Sequence, residues 1–570
     1  MTSSTASGPF AFLMKENIVA RPGFNRWFVP PASIAIHLCI GSVYAWSVFN
    51  PPLTRELGVV ASAGGDWSLS SVVWIFSVAI VCLGLAAAFG GKWLEKVGPR
   101  CVGVVSASLW GGGFLVGSLG IMTHQLWLVY VGYGVLGGCG LGLGYVSPVS
   151  TLIRWFPDRR GMATGMAIMG FGGGAMIGAP LKSWLLGLYA QAPDYLGAES
   201  AVALVTEGGK RFAETANGLV EVVVANAEQA AVVGGEAGVY VVGTGNTGAA
   251  GAFLTLGIVY FCVMVVAAFL YRVPAAGWKP AGWEPAPETA SKGMITRNNV
   301  HIDQAIRTPQ FWLLWIVLCF NVTAGIGVIG VAKTMINEIF GQLAFVTAAF
   351  AGTYVLMISV FNMVGRFFWA STSDYIGRKN TYHCFFVLGT LLYCSIPFFA
   401  SSGGLTALIG FYIATMIIFT MYGGGFATIP AYLADMFGTM HVGGIHGRLL
   451  TAWATAGVLG PFAITYLRDM SKDSAITDLA AKVDPAAFAE KFGAPLAQLD
   501  QLVAANTVTI ARLMEIVPAG TIDPTSSLYN TTMYAMAALL VIAFFANLLV
   551  RPVSERHHVE RTHPSAVPAE

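Results

Sequence analysis

The stretch Ser359-Val-Phe-Asn362-Met-Val-Gly-Arg366-Phe-Phe-Trp-Ala370-Ser-Thr-Ser-Asp374-Tyr-Ile-Gly377-Arg378-Lys379 decides how this chain is read. An apolar run builds from Leu343, and Arg366 sits near its far end, eight residues before Asp374. On a helix that separation is roughly 12 Å. The arginine therefore lies inside a span, toward one face of the membrane. A guanidinium keeps its charge there, and a central one costs roughly 2.5–3.5 kcal/mol on insertion scales. The charge calls for compensation, either by an anion held beside it or by snorkelling to the headgroups. Asn362 stands four residues earlier, on the same helical face.

The surrounding chain requires a membrane. Of 570 residues, 55% are hydrophobic and 11% charged, too apolar for a soluble protein of this length. The net charge of +2 gives no case for a nucleic-acid partner. Glycine at 68 positions and tryptophan at 15 fit closely packed spans with aromatic ends. Cys39, Cys82, Cys101, Cys139, Cys262, Cys319, Cys384 and Cys394 all fall in or at the edges of apolar runs, so neither a disulfide framework nor a metal site is expected. The first thirty residues carry Lys15, Arg21 and Arg26 but no short apolar core with a cleavage site. No cleaved signal peptide is expected, and the first span should direct insertion.

Twelve apolar runs reach spanning length, near 29–52, 68–90, 101–122, 126–153, 161–188, 250–271, 311–337, 343–370, 381–400, 405–432, 446–467 and 529–550. Lys and Arg collect after even-numbered runs: Lys92, Lys96 and Arg100; Arg154, Arg159 and Arg160; Arg272, Lys279, Lys292, Arg297 and Arg307; Arg378 and Lys379; Arg551, Arg556 and Arg561. By the positive-inside rule both termini are cytoplasmic. The expected layout is a cytoplasmic segment 1–28, a six-helix half 29–271, a cytoplasmic linker 272–310, a second six-helix half 311–550 and a tail 551–570. Two insertions, 189–249 and 468–528, follow the fifth and eleventh runs and are expected outside the cell, as small caps or as solvated spacers. The linker is rich in Trp278, Pro280, Trp283, Pro285 and Pro287.

The halves echo each other. Gly91-Lys-Trp-Leu-Glu95-Lys96-Val-Gly98-Pro-Arg100 follows the second run, and the Asp374–Lys379 turn follows the eighth. Each has an acid, a glycine three residues on and a base two after that: a tight turn flanked by groups able to cross-link helix ends. Pro148 precedes Trp155 by seven residues, as Pro430 precedes Phe437. Parallel halves with a site at their interface are one transporter architecture.

With these paired loops the sequence resembles the major facilitator superfamily. Gly178-Ala-Pro180 on the fifth run resembles the glycine-proline motif of its antiporters, with Ala179 intervening. Further features resemble the oxalate–formate antiporter and monocarboxylate carrier family. They are Gly41-Ser-Val-Tyr44-Ala-Trp46-Ser-Val-Phe49, Arg154-Trp155-Phe156-Pro157-Asp158-Arg159-Arg160-Gly161, Gly424-Gly425-Phe426-Ala-Thr-Ile-Pro430-Ala-Tyr-Leu-Ala-Asp435-Met-Phe437-Gly438 and Ile445-His446-Gly447-Arg448-Leu-Leu-Thr-Ala-Trp453. The resemblance covers all twelve runs and neither insertion. It implies an all-α membrane fold of two pseudo-symmetric six-helix halves, without a cofactor. It implies a secondary transporter of small carboxylates such as formate, pyruvate or lactate, or an oxalate/formate exchanger, working by alternating access. Arg366 becomes the carboxylate ligand, with Asn362 adding neutral donors. In related monocarboxylate carriers an acid at that i−4 place takes a proton; here it is Asn. Members that take a dianion would be expected to present a second cation on the eleventh span. Here Leu450-Thr451-Ala452-Trp453 holds none, which favours a monocarboxylate over oxalate.

On the first run His37, Gly41 and Tyr44 share a face; Tyr44 is a candidate donor, and His37 is either a candidate proton carrier or a core histidine. Tyr145 and Tyr422, on the fourth and tenth runs, are placed to line a cavity with Trp453. Lys182 and Lys333, near the outer ends of their runs, read as snorkelling anchors or as attractants at the entrance. Glu95, Arg100, Arg154, Asp374, Arg378, Asp435 and Arg448 are the expected ion pairs of an inner gate. The competing readings are a carrier of an unrelated organic substrate, which a single intramembrane arginine disfavours for a neutral sugar, and a transporter-like sensor using its insertions. No Walker-type loop, metal-ligand cluster or nucleophile motif supports an enzyme or an ATP-driven pump. The expected setting is a monomer in a bacterial inner (plasma) membrane, with a small carboxylate, lipid and, as the candidate coupling ion, protons as partners.

Overall fold

The computed structural model describes residues 8–559 apart from 208–209, 216–217, 226, 285–293, 297, 493–494, 505–507 and 509. Pro285, Pro287, Lys292, Arg297 and Arg561 lie outside the described residues, as does the side chain of Lys333. Twelve helices among the described residues are long and apolar enough to cross a membrane: Arg26–Leu53, Trp74–Val97, Pro99–Met122, Leu126–Trp155, Arg160–Tyr189, Ala249–Leu270, Pro309–Ile329, Phe350–Ile376, Arg378–Ser402, Gly404–Phe437, Val442–Ala480 and Pro524–Leu549. They are numbered first to twelfth below. The chain is a multi-pass membrane protein. Both described termini and the linker meet at one end of the bundle, where Val19 pairs with Val273 and Val300 with His558. This is the linker end; the opposite one is the insertion end.

Within each half the third span packs on the sixth and the eighth on the tenth. Across the halves the fifth meets the eighth and the second meets the eleventh. The duplicated turns are structural equivalents. Gly98 ends the second span at φ 94° and Gly377 ends the eighth at φ 86°, backbone conformations that a side chain would strain.

The 189–249 insertion is not a solvated spacer. It contains an antiparallel sheet of β1 (Tyr195–Gly197), β2 (Leu204–Glu207), β3 (Lys210–Thr215), β4 (Gly218–Ala225) and β5 (Gly238–Val241), in the order β1-β5-β4-β3-β2. The run Leu219-Val-Glu-Val-Val-Val-Ala supplies the β-branched residues of β4. Val223, Ala225 and Tyr240 bury Val60 of the loop after the first span. The Gly243 N–H also donates to the Leu57 carbonyl at 2.9 Å. The sheet is therefore seated on the first half. The second insertion is helical: the eleventh-span helix runs on to Ala480, thirteen residues past its expected end at 467, and Pro485–Phe492, Leu499–Ala504 and Ile510–Met514 follow.

The first span is broken. Its α-helix runs Val29–Gly41, then continues as 3-10 turns over Ser42–Phe49, with Ala45 at φ −94°, ψ 27°. Such a break frees carbonyls that lipid cannot satisfy. Lys182 of the fifth span supplies the donor, its ammonium giving hydrogen bonds to the Ser42 carbonyl at 2.7 Å and the Ala45 carbonyl at 3.3 Å. It also lies 5.0 Å over the Phe49 ring. Lys182 is fully buried, so the snorkelling reading is corrected: a cation at the C-terminal end of a helix segment is held by carbonyls and dipole instead. Lys182→Met should unpair two buried carbonyls at a cost of about 1–3 kcal/mol. A lower melting temperature of the detergent-purified protein reads this out; unchanged melting would show that the break holds without the lysine.

Candidate functional site

Arg366 lies in the eighth span and is 1% exposed, which rules out snorkelling. Its Nε donates to Asn362 Oδ1 at 3.0 Å and its Nη1 to the Ile168 carbonyl of the fifth span at 3.2 Å. Asn362 accepts from the guanidinium through its side-chain oxygen and fixes its plane one turn along the same helix. Gly172 makes the close approach of the fifth span possible: a Cβ there would sit 3.2 Å from Arg366 Nε. No carboxylate forms an ion pair with Arg366 among the described residues. Its Nη2 is buried without a partner.

Aromatic rings enclose the guanidinium. Its carbon lies 5.6 Å from the Phe171 centroid and 5.3 Å from that of Phe426, cation–π distances that keep the charge tolerable without neutralising it. Trp453 packs on Phe426 at 4.8 Å, on Tyr145 at 5.3 Å and on Phe171 at 5.4 Å. Tyr44 meets Phe171 at 5.1 Å and Trp453 at 6.2 Å. Its hydroxyl faces Arg366, Tyr422 and Trp453 without a well-formed hydrogen bond to any. The Tyr145 and Tyr422 hydroxyls and Trp453 Nε1 are likewise buried and unpartnered. All six candidate binding residues are therefore gathered around one point between the halves, from the first, fourth, eighth, tenth and eleventh spans. Phe171 and Phe426 were missed. Their signal was an aromatic residue set within glycines, Gly170-Phe171-Gly172 and Gly425-Phe426, where few neighbours compete for the space.

The two histidines differ. His37 is buried with Nδ1 2.6 Å from the Ala167 carbonyl and Nε2 3.3 Å from that of Tyr145. Its ring ties the first span to the fifth and fourth; a neutral ring bonds one of these carbonyls and an imidazolium both. His446, quoted above within a family feature but given no role there, is also fully enclosed.

The acidic residues of the repeated turns each reach the start of a helix in the opposite half. Asp374 accepts from the Gly161 and Met162 N–H groups at 2.8 Å each, at the head of the fifth span. Glu95 accepts from the Gly443 N–H at 3.0 Å, at the head of the eleventh, and pairs with Arg154. Helix N-termini favour such anions. Arg378 joins Asp374 at 2.6 Å to Asp435 at 2.9 Å, and Arg160 of the first half reaches Asp435 at 2.8 Å. This cluster closes the linker end.

Two expected gate residues pair outside this cluster. Arg100 donates to the carbonyls of Phe12, Phe269 and Tyr271 at 2.9–3.2 Å and so clasps the N-terminal segment to the end of the sixth span. It sits two residues beyond the turn glycine, on the outer flank of its half. Arg448 pairs with Asp303 of the linker at 2.6 Å, and Lys92 meets the same carboxylate at 2.9 Å. Asp303 and Arg160 were not foreseen, because a linker acid and one of three clustered arginines carry no sequence mark of their partners. The hydrogen bonds from Arg448 and Lys92 hold the Asp303 carboxyl down at about 2.

A family model of the Major Facilitator Superfamily matches residues 32–197 and 230–461. The chain is 25% identical over 437 residues to the oxalate:formate antiporter of Oxalobacter formigenes, an alignment covering 76% of this chain and 83% of that one. It is 23% identical over 471 residues to apicoplast pyruvate carrier 1 of Toxoplasma gondii, covering 73% of this chain and 78% of that one. Its fold is similar to the crystal structure of the fucose:proton symporter of E. coli, with a TM-score of 0.53, 12% identity and coverage of 91% and 99% of the two chains. Two six-helix halves, acids docked across them and a family match over most of the length agree: this chain belongs to the Major Facilitator Superfamily and is a membrane transporter, not an enzyme.

Proposed function

We propose that this transporter carries small carboxylate anions by alternating access, with Arg366 as the carboxylate ligand. The observation that carries the reading is a buried guanidinium with no paired acid among the described residues, surrounded by unpartnered Tyr44, Tyr145, Tyr422 and Trp453 donors. A neutral polyol needs acceptors and donors in comparable number, whereas a carboxylate needs donors and one compensating cation. The names of the two curated relatives, an oxalate:formate antiporter and a pyruvate carrier, support the same class. One fixed cation favours a monocarboxylate, and apolar walls of Phe171 and Phe426 suit a short organic acid.

In this reading the linker end faces the cytoplasm and the Glu95–Arg154 and Asp374–Arg378–Asp435–Arg160 contacts are its inner gate. Such contacts must break in each cycle, since alternating access needs two states of similar free energy. The sheet of the first insertion caps the outer side of the first half.

Uptake of labelled formate, pyruvate, lactate and oxalate into proteoliposomes tests the substrate class. Arg366→Ala should lower uptake of the preferred acid about a hundredfold, the scale of removing one partner of a buried charge pair. Intact uptake would contradict the assignment. Glu95→Ala or Asp374→Ala should slow transport several-fold while substrate affinity stays within about twofold. A loss of binding equal to that of Arg366→Ala would remove both from the gate. The Lys92–Asp303–Arg448 bridge has a depressed carboxyl, so its contribution is complete above the ordinary value of 3.8 and is lost only as pH falls toward 2. Asp303→Asn should therefore leave the pH dependence of transport between pH 5 and 8 unaltered; a changed profile would show that the bridge titrates in that range.

A further inference from the structure

We propose that His446 carries the proton that accompanies the carboxylate. The inference rests on the reading of Arg366 as the anion ligand. The eleventh span begins with a short helix, Val442–Leu449, that turns at Leu450 into the long helix Thr451–Ala480. The short helix carries two latch contacts at the linker end: the Gly443 N–H on Glu95, and Arg448 on Asp303. Three residues from Gly443 is His446, 1% exposed, with both Nδ1 and Nε2 lacking a hydrogen-bond partner. A neutral imidazole always has one N–H to place and an imidazolium has two. Leaving such a group buried and unpaired costs about 1–3 kcal/mol, so an unpaired histidine at the edge of a binding site is poised for a partner that comes and goes.

The edge of the site is where it stands. The His446 ring packs against Tyr145 at 5.8 Å, and Tyr145 packs in turn on Trp453 at 5.3 Å and Phe171 at 5.4 Å. Arg366 lies against the same Phe171. The charged neighbourhood is sparse. On the packed elements, Lys92 and Glu95 of the second span, Arg154 of the fourth, Asp435 of the tenth, Asp303 of the linker and Arg448 of the short helix are all taken up in the latch pairs. Tyr432 of the tenth donates to Asn547 at 3.3 Å, and His441 stacks on His301 at 5.2 Å. Tyr145 and His37 remain as the titratable neighbours of the ring; His37 stands between two carbonyls, those of Ala167 and Tyr145, whereas no acceptor is paired to His446.

The charges then work as a linked pair. With the site empty, no unpaired acid lies on the elements packed against this ring among the described residues. With a carboxylate on Arg366 the anion attracts a second positive charge, and by linkage the proton tightens the anion as much as the anion tightens the proton. The step balances: hydronium gives one proton to a His446 ring nitrogen, leaving water, and the carboxylate joins Arg366. After the site opens to the other side the nitrogen returns the proton to water and the anion leaves. One proton and one carboxylate cross together. Because the ring shares a short helix with the latch, its charge state is also felt where the linker end closes.

The test uses the full chain in liposomes loaded with a pH dye. Wild type, His446→Gln, His37→Gln and Arg366→Ala are given labelled pyruvate or formate outside, with and without an inward proton gradient. The expected result is gradient-driven uptake with lumen acidification in the wild type. His446→Gln should lower that uptake about tenfold, the scale of one lost charge interaction, and flatten its pH profile. Its exchange of internal for external acid should continue at a rate that pH no longer changes. His37→Gln should keep the wild-type pH profile whatever its rate. Wild-type uptake without proton entry, or an unaltered pH profile in His446→Gln, overturns the proposal, and the first of these needs no variant. Wild-type uptake retained in Arg366→Ala overturns the carboxylate reading instead.

Discussion

A buried guanidinium between the two halves governs this molecule. Arg366 is held in the eighth span with its plane fixed by Asn362 and Ile168, rings on both sides and no acid paired to it among the described residues. Desolvating a guanidinium is expensive, and cation–π contacts with two hydrogen bonds return only part of that cost. In the proposed reading an anion at the interface of the halves offsets the remainder. The glycine ladder of the fifth span, the break in the first span and the placement of Tyr44, Tyr145, Tyr422 and Trp453 all serve the geometry of that point. Lys182 contributes from a distance, because the carbonyls it binds flank Tyr44 on the broken segment.

The linker end shows a second economy of charge. Each half places its turn acid on the amide groups that begin a helix of the other half, Asp374 on the fifth span and Glu95 on the eleventh. A helix N-terminus carries only partial charge, so these contacts are directional yet weaker than full ion pairs. Arginines at 154, 160 and 378 reinforce them. A closure built in this way holds one state without trapping it, as alternating access requires.

Much of the architecture was legible because lipid imposes it. Spans of about 20 apolar residues, basic loops and a duplicated acid–glycine–base turn left their mark on the chain, and the twelve helices and the paired turns follow from them. Arg366 was legible for the same reason: an ionised group in an apolar run is conspicuous. The sheet of the first insertion was not, since its valines at 220, 222, 223 and 224 lie in a stretch whose acids dominate its composition. Lys182 misled, because a lysine near a span's end is indistinguishable in sequence from a snorkelling anchor until the broken helix beside it is seen. Arg100 misled for a related reason: its counterpart in the repeated turn is not Arg378 but Lys379, and both clasp carbonyls at the end of their half's last span, Phe269 and Tyr271 for Arg100 and Leu548 and Val550 for Lys379. His446 differs from His37 only in what surrounds the ring, which no spacing reveals.

The central claim is that the buried guanidinium recognises a carboxylate. Fluorescence titration of the purified protein, with Trp453 in the wall of the site, tests it most directly by comparing an acid with its uncharged amide, pyruvate with pyruvamide and formate with formamide. The account predicts saturable quenching by the acid, little or none by the amide, and loss of the acid response in Arg366→Ala. Equal binding of acid and amide would contradict it.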